Sequence, residues 1–161
     1  MISLVFVSAR SVVVVAGLVL LACYVIGSGA WVQTSGSWYS SLARPSWQPP
    51  DWVFGVIWPY NFTILGIALF VVPGRLPANR LWLWVSFFAM SVIAALGWSY
   101  LFYVPHALAA ASISLAVAAL ATLPLVWLVW SVSRPIALAL VPYQVWLFLA
   151  ASLSAGYASR N

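Results

Sequence analysis

The sequence predicts an all-α membrane protein, a bundle of five transmembrane helices joined by short turns and one long first loop. Three observations predict it. The 161-residue chain is 66% hydrophobic and only 4% charged, with no lysine, which is too little charge to cover a water-soluble domain of this size. Its apolar residues gather in five runs, each near the roughly twenty residues that cross ~30 Å of hydrocarbon as a helix. The runs are separated by turn chemistry, so a single integral membrane domain over residues 1–161 follows.

The first run covers about residues 11–32. Arg10 ahead of it gives the start a faint likeness to a signal peptide, but no small-residue cleavage site leads into a soluble domain, so it is read as a span. The second run covers residues 51–72 and the third 81–103, divided by Gly74-Arg75-Leu76-Pro77-Ala78-Asn79-Arg80. Val104-Pro105 precedes the fourth, residues 106–130, and Ser131 to Arg134 precede the fifth, residues 135–157. Only the connection over residues 33–50 is long; its backbone must be satisfied by water, at the interface or by packing over the helices. No internal repeat is visible, and an odd number of spans excludes a simple two-fold duplication.

Six arginines against Asp51 give a formal charge of +5. In a soluble protein that balance would suggest nucleic acid; here single arginines between apolar runs read as an orientation signal, and no nucleic-acid partner is expected. Arg10, Arg75, Arg80 and Arg134 fall on one side, Arg44 and Arg160 on the other. The bias predicts the N-terminus inside and the C-terminus outside, with the long loop on the outer face.

Tryptophan is distributed in two ways. Trp31, Trp38, Trp82, Trp84 and Trp130 fall near span ends, where aromatic belts belong. Trp58, Trp98 and Trp146 lie deep in the second, third and fifth spans, where indole N–H groups need partners. Pro59 and Pro142 each delete a helical hydrogen bond beside that set, which tends to kink the helix and open space. An aromatic-lined cavity is expected there.

Conventional catalytic chemistry is nearly absent. One Asp, one His, one Cys and no Glu exclude a carboxylate pair, a classical triad and a three-ligand metal site, so no metal is expected. No acid lies at mid-span, which argues against proton-driven transport. Cys23 reads as a small buried or lipid-facing apolar residue, and His106 as a solvated or capping residue opening the fourth span. Asp51, after Pro49-Pro50, reads as a helix cap. Leu153, Tyr157 and Arg160 fit a loose cholesterol-contact pattern that any interfacial Tyr and Arg would produce.

Trp38-Tyr39, then Pro45-Ser46-Trp47-Gln48-Pro49-Pro50-Asp51-Trp52-Val53-Phe54 and Trp58, resemble the signature of the TspO/MBR family, the tryptophan-rich sensory proteins and translocator proteins. The likeness continues in Trp98-Ser99-Tyr100-Leu101-Phe102-Tyr103 and in Val141-Pro142-Tyr143, Trp146, Ala150, Leu153 and Asn161. It implies a bundle, commonly a homodimer, whose first loop covers a cavity binding tetrapyrroles such as protoporphyrin IX, with sterols and benzodiazepine-type compounds as further ligands. Carried onto this chain, Trp58, Trp98, Trp146, Ala150 and Phe62 would line the pocket. Trp47, Pro49 and Pro50 would form its lid, with Tyr143 and Leu153 nearby. Arg44 is placed either to pair with Asp51 or to reach a ligand anion such as a propionate.

The implied function is a multi-pass receptor or carrier in a bacterial cell membrane that senses or regulates porphyrin, with porphyrin as ligand and no cofactor. Two alternatives stand beside it: light- and oxygen-dependent porphyrin breakdown using Trp58 and Trp146, and a structural membrane protein whose tryptophans only pack. Ala95, Ser112 and Ser154 replace polar residues usual in the family, which predicts lost contacts between helices.

Overall fold

A computed structural model describes residues 9–161. In it the five apolar runs fold as long helices: α1 (Ala9–Thr34), α3 (Asp51–Val71), α4 (Ala78–Tyr103), α5 (Leu108–Trp130) and α6 (Arg134–Ala158). A short helix, α2 (Gly36–Ser41), precedes α3. The long helices have 21 to 26 residues and are apolar enough to cross a membrane.

Three local features refine the expected boundaries. The long first loop is largely helical, because α1 continues to Thr34 and Gly36, at φ +47°, turns the chain into α2. A left-handed φ costs glycine nothing sterically. Only residues 42–50 remain irregular. α4 starts at Ala78, with extended Pro77 as its cap. α5 starts at Leu108 rather than at residue 106, because His106 adopts φ +58° after Pro105 and cannot lie in a right-handed helix.

The long helices form a closed ring. α1 packs on α4 and α3, α3 on α6, α6 on α5, and α5 on α4. The α4–α5 and α5–α6 contacts are the most extensive, and the two seams of α3 are the thinnest. Ala111, Ala118, Ala119 and Ala121 on α5 are buried, which lets neighbouring backbones approach closely. In lipid, such packing and interhelical hydrogen bonds drive association, since hydrocarbon surrounds every apolar side chain anyway. Gln144 Nε2 donates to Ala119 O at 2.9 Å, Ser114 Oγ to Ala94 O at 2.7 Å, and Tyr60 OH to Ala139 O at 2.7 Å.

The tryptophan belt needs two corrections. Trp82 and Trp130 are exposed at the bundle surface, but Trp84 is fully buried against Phe88, with ring centroids 5.3 Å apart. Trp82 lies only two residues away, so it is rotation about the helix axis, not depth, that turns Trp84 inward. Trp38 is also no belt residue. It packs edge-on to Phe102 and stacks on His106 at 3.6 Å; His106 stays exposed as expected, and the cap position falls on Ala107. Cys23 is exposed on α1.

Candidate functional site: an aromatic cavity under a stapled lid

The site is aimed by the entrance to α3. Pro50 takes extended backbone (φ −54°, ψ 146°), and Asp51 is the first helical residue. Asp51 does not cap the helix as expected, since the cap position falls on Pro50, which has no side-chain bond to give. Its carboxylate instead complements the helix dipole and pairs with Arg44 at 3.6 Å, both groups well exposed. From this start Phe54 and Trp58 lie one turn apart and both reach the bundle centre.

There the three deep tryptophans meet. Trp58 stacks on Trp98 (centroids 6.0 Å, planes 17° apart) and meets Trp146 edge-on at 6.2 Å, while Phe54 meets Trp146 edge-on at 5.2 Å. With Tyr39, Phe102, Tyr103 and Tyr157 these rings enclose a cavity that Gln48, Ala150, Leu153 and Ser154 complete. Its volume is about 40 Å³, room for little more than water. On the far side of Trp58, Trp98 and Tyr103 lies a second opening of about 320 Å³ between α1, α3 and α4. The stacked indole pair is therefore a partition between two spaces.

The walls are apolar with a few placed polar groups. The Trp98 indole N–H donates to Ser154 Oγ at 3.2 Å, and Ser112 Oγ lies 3.1 Å from the same oxygen. Ser112 and Ser154 thus tie α4, α5 and α6 together, which corrects the expectation that these substitutions lose interhelical contacts. Ala95 simply packs in the core. The buried Trp146 indole N–H and Ser99 hydroxyl have no hydrogen-bond partner among the described residues. Each is a donor beside one of the two spaces, Trp146 on the cavity and Ser99 on the outer opening.

Over the cavity, α2 and residues 42–50 are fastened to the end of α6. Asn161 Oδ1 accepts from Ala43 N at 2.9 Å, and its Nδ2 donates to Ala43 O at 3.3 Å. The Tyr157 hydroxyl bonds Gln48 Oε1. The Trp47 indole N–H donates to Ser152 Oγ at 3.3 Å, and the Arg160 guanidinium sits 4.9 Å above the Trp47 ring. Leu153, Tyr157 and Arg160 therefore face the cavity and lid, so the cholesterol-like pattern is not presented to lipid.

The residues singled out in the sequence divide by position. Trp58, Trp98, Trp146, Ala150 and Leu153 line the cavity. Phe62 stacks beneath Trp58 at 5.8 Å and faces the outer opening instead. Tyr143 is fully buried and lies 3.4 Å from Ser91 Oγ, outside the lining. Trp47, Pro49 and Pro50 belong to the lid and helix entrance, and Arg44 to the outer surface. Sequence reasoning missed Tyr39, Gln48, Phe54, Phe102, Tyr103 and Tyr157 as lining residues. Most stood in plain view in the aromatic motifs, but their rotation toward the cavity was not encoded there.

The TspO/MBR family model matches residues 13–160. Protein CrtK of Rhodobacter capsulatus is 32% identical over 135 residues, 83% of this chain and 84% of that protein. A tryptophan-rich protein TspO of Chlorobaculum tepidum is 31% identical over 144 residues, covering 82% and 86%. A translocator protein of Ovis aries is 29% identical over 134 residues, covering 73% and 70%. With a family match across nearly the whole chain, and a five-helix membrane bundle closed over an aromatic cavity, this protein belongs to the TspO/MBR family.

Proposed function

We propose that this chain is a multi-pass membrane receptor or carrier for a tetrapyrrole of the protoporphyrin IX type and takes part in sensing or regulating porphyrin. The observation that carries the reading is the Trp58–Trp98–Trp146 cluster, whose faces suit a planar aromatic ring and whose Trp146 N–H is an unused donor. Binding requires opening. A cavity of about 40 Å³ admits a tetrapyrrole only when the lid lifts or the Trp58–Trp98 partition parts to join the adjacent 320 Å³. Arg44 supplies a cation near the lid for a propionate, in competition with Asp51. The active form is a homodimer, with the N-terminus inside a bacterial cell membrane.

The test is saturable quenching of tryptophan fluorescence by protoporphyrin IX. The wild type should show it, and Trp58→Phe with Trp146→Phe should weaken it at least about tenfold. No saturable quenching, or quenching indifferent to both substitutions, removes the reading and leaves a structural membrane protein. Because Trp58 and Trp146 touch each other on the cavity wall, a second reading adds light- and oxygen-dependent porphyrin breakdown. It requires the porphyrin Soret band to decay faster with wild type than with the double variant or with detergent alone.

A further inference from the structure

The seam between α1 and α3 is one of the two thinnest in the ring, and three openings follow one another along it. At the arginine-rich end, one of about 320 Å³ is lined by Arg10, Val14, Val15, Phe70, Pro73 and Gly74. The next, about 430 Å³, is lined among others by Leu18, Ala22, Val25, Phe62 and Thr63. The third shares Val25 and Phe62 with it and ends on Trp58 and Trp98. Val14, Leu18, Leu21, Val25, Ser28 and Val32 recur at helical spacing, so the three openings lie along one stripe of α1. The second and third are continuous through Val25 and Phe62, and the first lies one turn earlier on the same stripe, Val14 before Leu18; the middle of this furrow is apolar but for Thr63, whose hydroxyl is bonded to Pro59 O.

Charge is arranged at one mouth only. Arg10 lines that mouth, and Arg75 follows Gly74 in the turn that closes it. The chain's single acid, Asp51, begins α3 at the opposite end. An anionic headgroup at this mouth therefore meets arginines without a competing carboxylate, and a zwitterionic headgroup finds no acid for its cationic part. The furrow also has the right length. Arg10 to Val25 spans roughly 22 Å at 1.5 Å per helical residue. That exceeds the roughly 15 Å half-thickness of the hydrocarbon core, so a tail of one leaflet can run beneath the headgroup to the level of Phe62.

We propose that the α1–α3 furrow is a binding site for one anionic glycerophospholipid. Its phosphate lies against Arg10 and Arg75, and one acyl chain fills the furrow toward Phe62 and Trp58. The ligand differs from annular lipid in being held at one position by its head and along one seam by its tail.

The test is native mass spectrometry of the purified chain from micelles containing equal amounts of phosphatidylglycerol and phosphatidylcholine with identical tails. One phosphatidylglycerol per chain should be retained, with a preference of about tenfold over phosphatidylcholine. Arg10→Gln with Arg75→Gln should abolish that preference, while Arg80→Gln with Arg134→Gln, which removes equal charge from the same end away from the furrow, should leave it. Ala22→Phe, at an exposed position inside the furrow, should lower retention without altering the charge. Equal retention of both lipids, an unchanged preference in the first double variant, or an equal loss in the second would overturn the proposal.

Discussion

Gly156 on α6 lies directly beneath Pro45 of the lid: a β-carbon at 156 would come within 2.8 Å of Pro45 Cγ and 2.9 Å of Trp47 Cζ2. The helix needs no glycine there, since it continues to Ala158. The lid needs it, because Pro45 is buried against this spot. Gly156→Ala should leave the bundle folded and displace residues 42–50, at a cost of about 1–3 kcal/mol. Hydrogen exchange of the Trp47 and Gln48 amides should rise while α4 and α5 stay protected. Unchanged protection of the lid would show that the close approach is unimportant.

Asn161 should act on the same segment by a different route. Its amide makes both bonds to the Ala43 backbone, so Asn161→Ala removes a donor and an acceptor at once. Each such bond contributes about 1 kcal/mol net. The variant should therefore release the lid without shifting the unfolding of the spanning helices. Limited proteolysis within residues 42–50 measures it: cleavage should speed up in Asn161→Ala and revert in Asn161→Gln only if the longer amide still reaches Ala43.

Asn61 presents the opposite case. It sits fully buried near the middle of α3, and both its side-chain Nδ2 and Oδ1 lack a partner among the described residues. Leaving such atoms unpaired costs about 1–3 kcal/mol. Asn61→Leu should thus raise thermal stability in detergent by about 1 kcal/mol or more. A loss of stability would mean that the amide is satisfied by something the protein chain does not supply.

The Arg44–Asp51 pair separates stability from binding. Its groups are 47% and 77% exposed, so breaking it should change stability by less than about 1 kcal/mol. If Arg44 is the partner of a ligand carboxylate, Asp51→Asn frees it and should tighten protoporphyrin IX binding, whereas Arg44→Gln should weaken it. Titrations of both variants at two salt concentrations check this, since an exposed charge contact fades as salt rises. Equal affinities in both variants would return Arg44 to a purely structural role.

Span number and approximate length were legible because hydrocarbon thickness imposes them on any helical membrane chain. The convergence of Trp58, Trp98 and Trp146 was legible from their depth in three separate runs. Rotation was not. In a soluble bundle an apolar stripe marks the inward face, but these helices are apolar on every side, so nothing in the pattern told Trp84 from Trp82. The lid was equally hidden. α2 and the contacts of Trp38 with Phe102 and His106 depend on long-range packing that polar spacing cannot encode. Asp51 was misread as a cap because proline at the preceding position takes the cap's place in the chain.

The ring order has a consequence for how this protein is made. α1 packs more extensively on α4 than on α3, although α3 follows it in the chain. When the first two spans have left the ribosome, the first has not yet met its principal neighbour. Its most extensive contact can form only once the third of the five spans, α4, arrives.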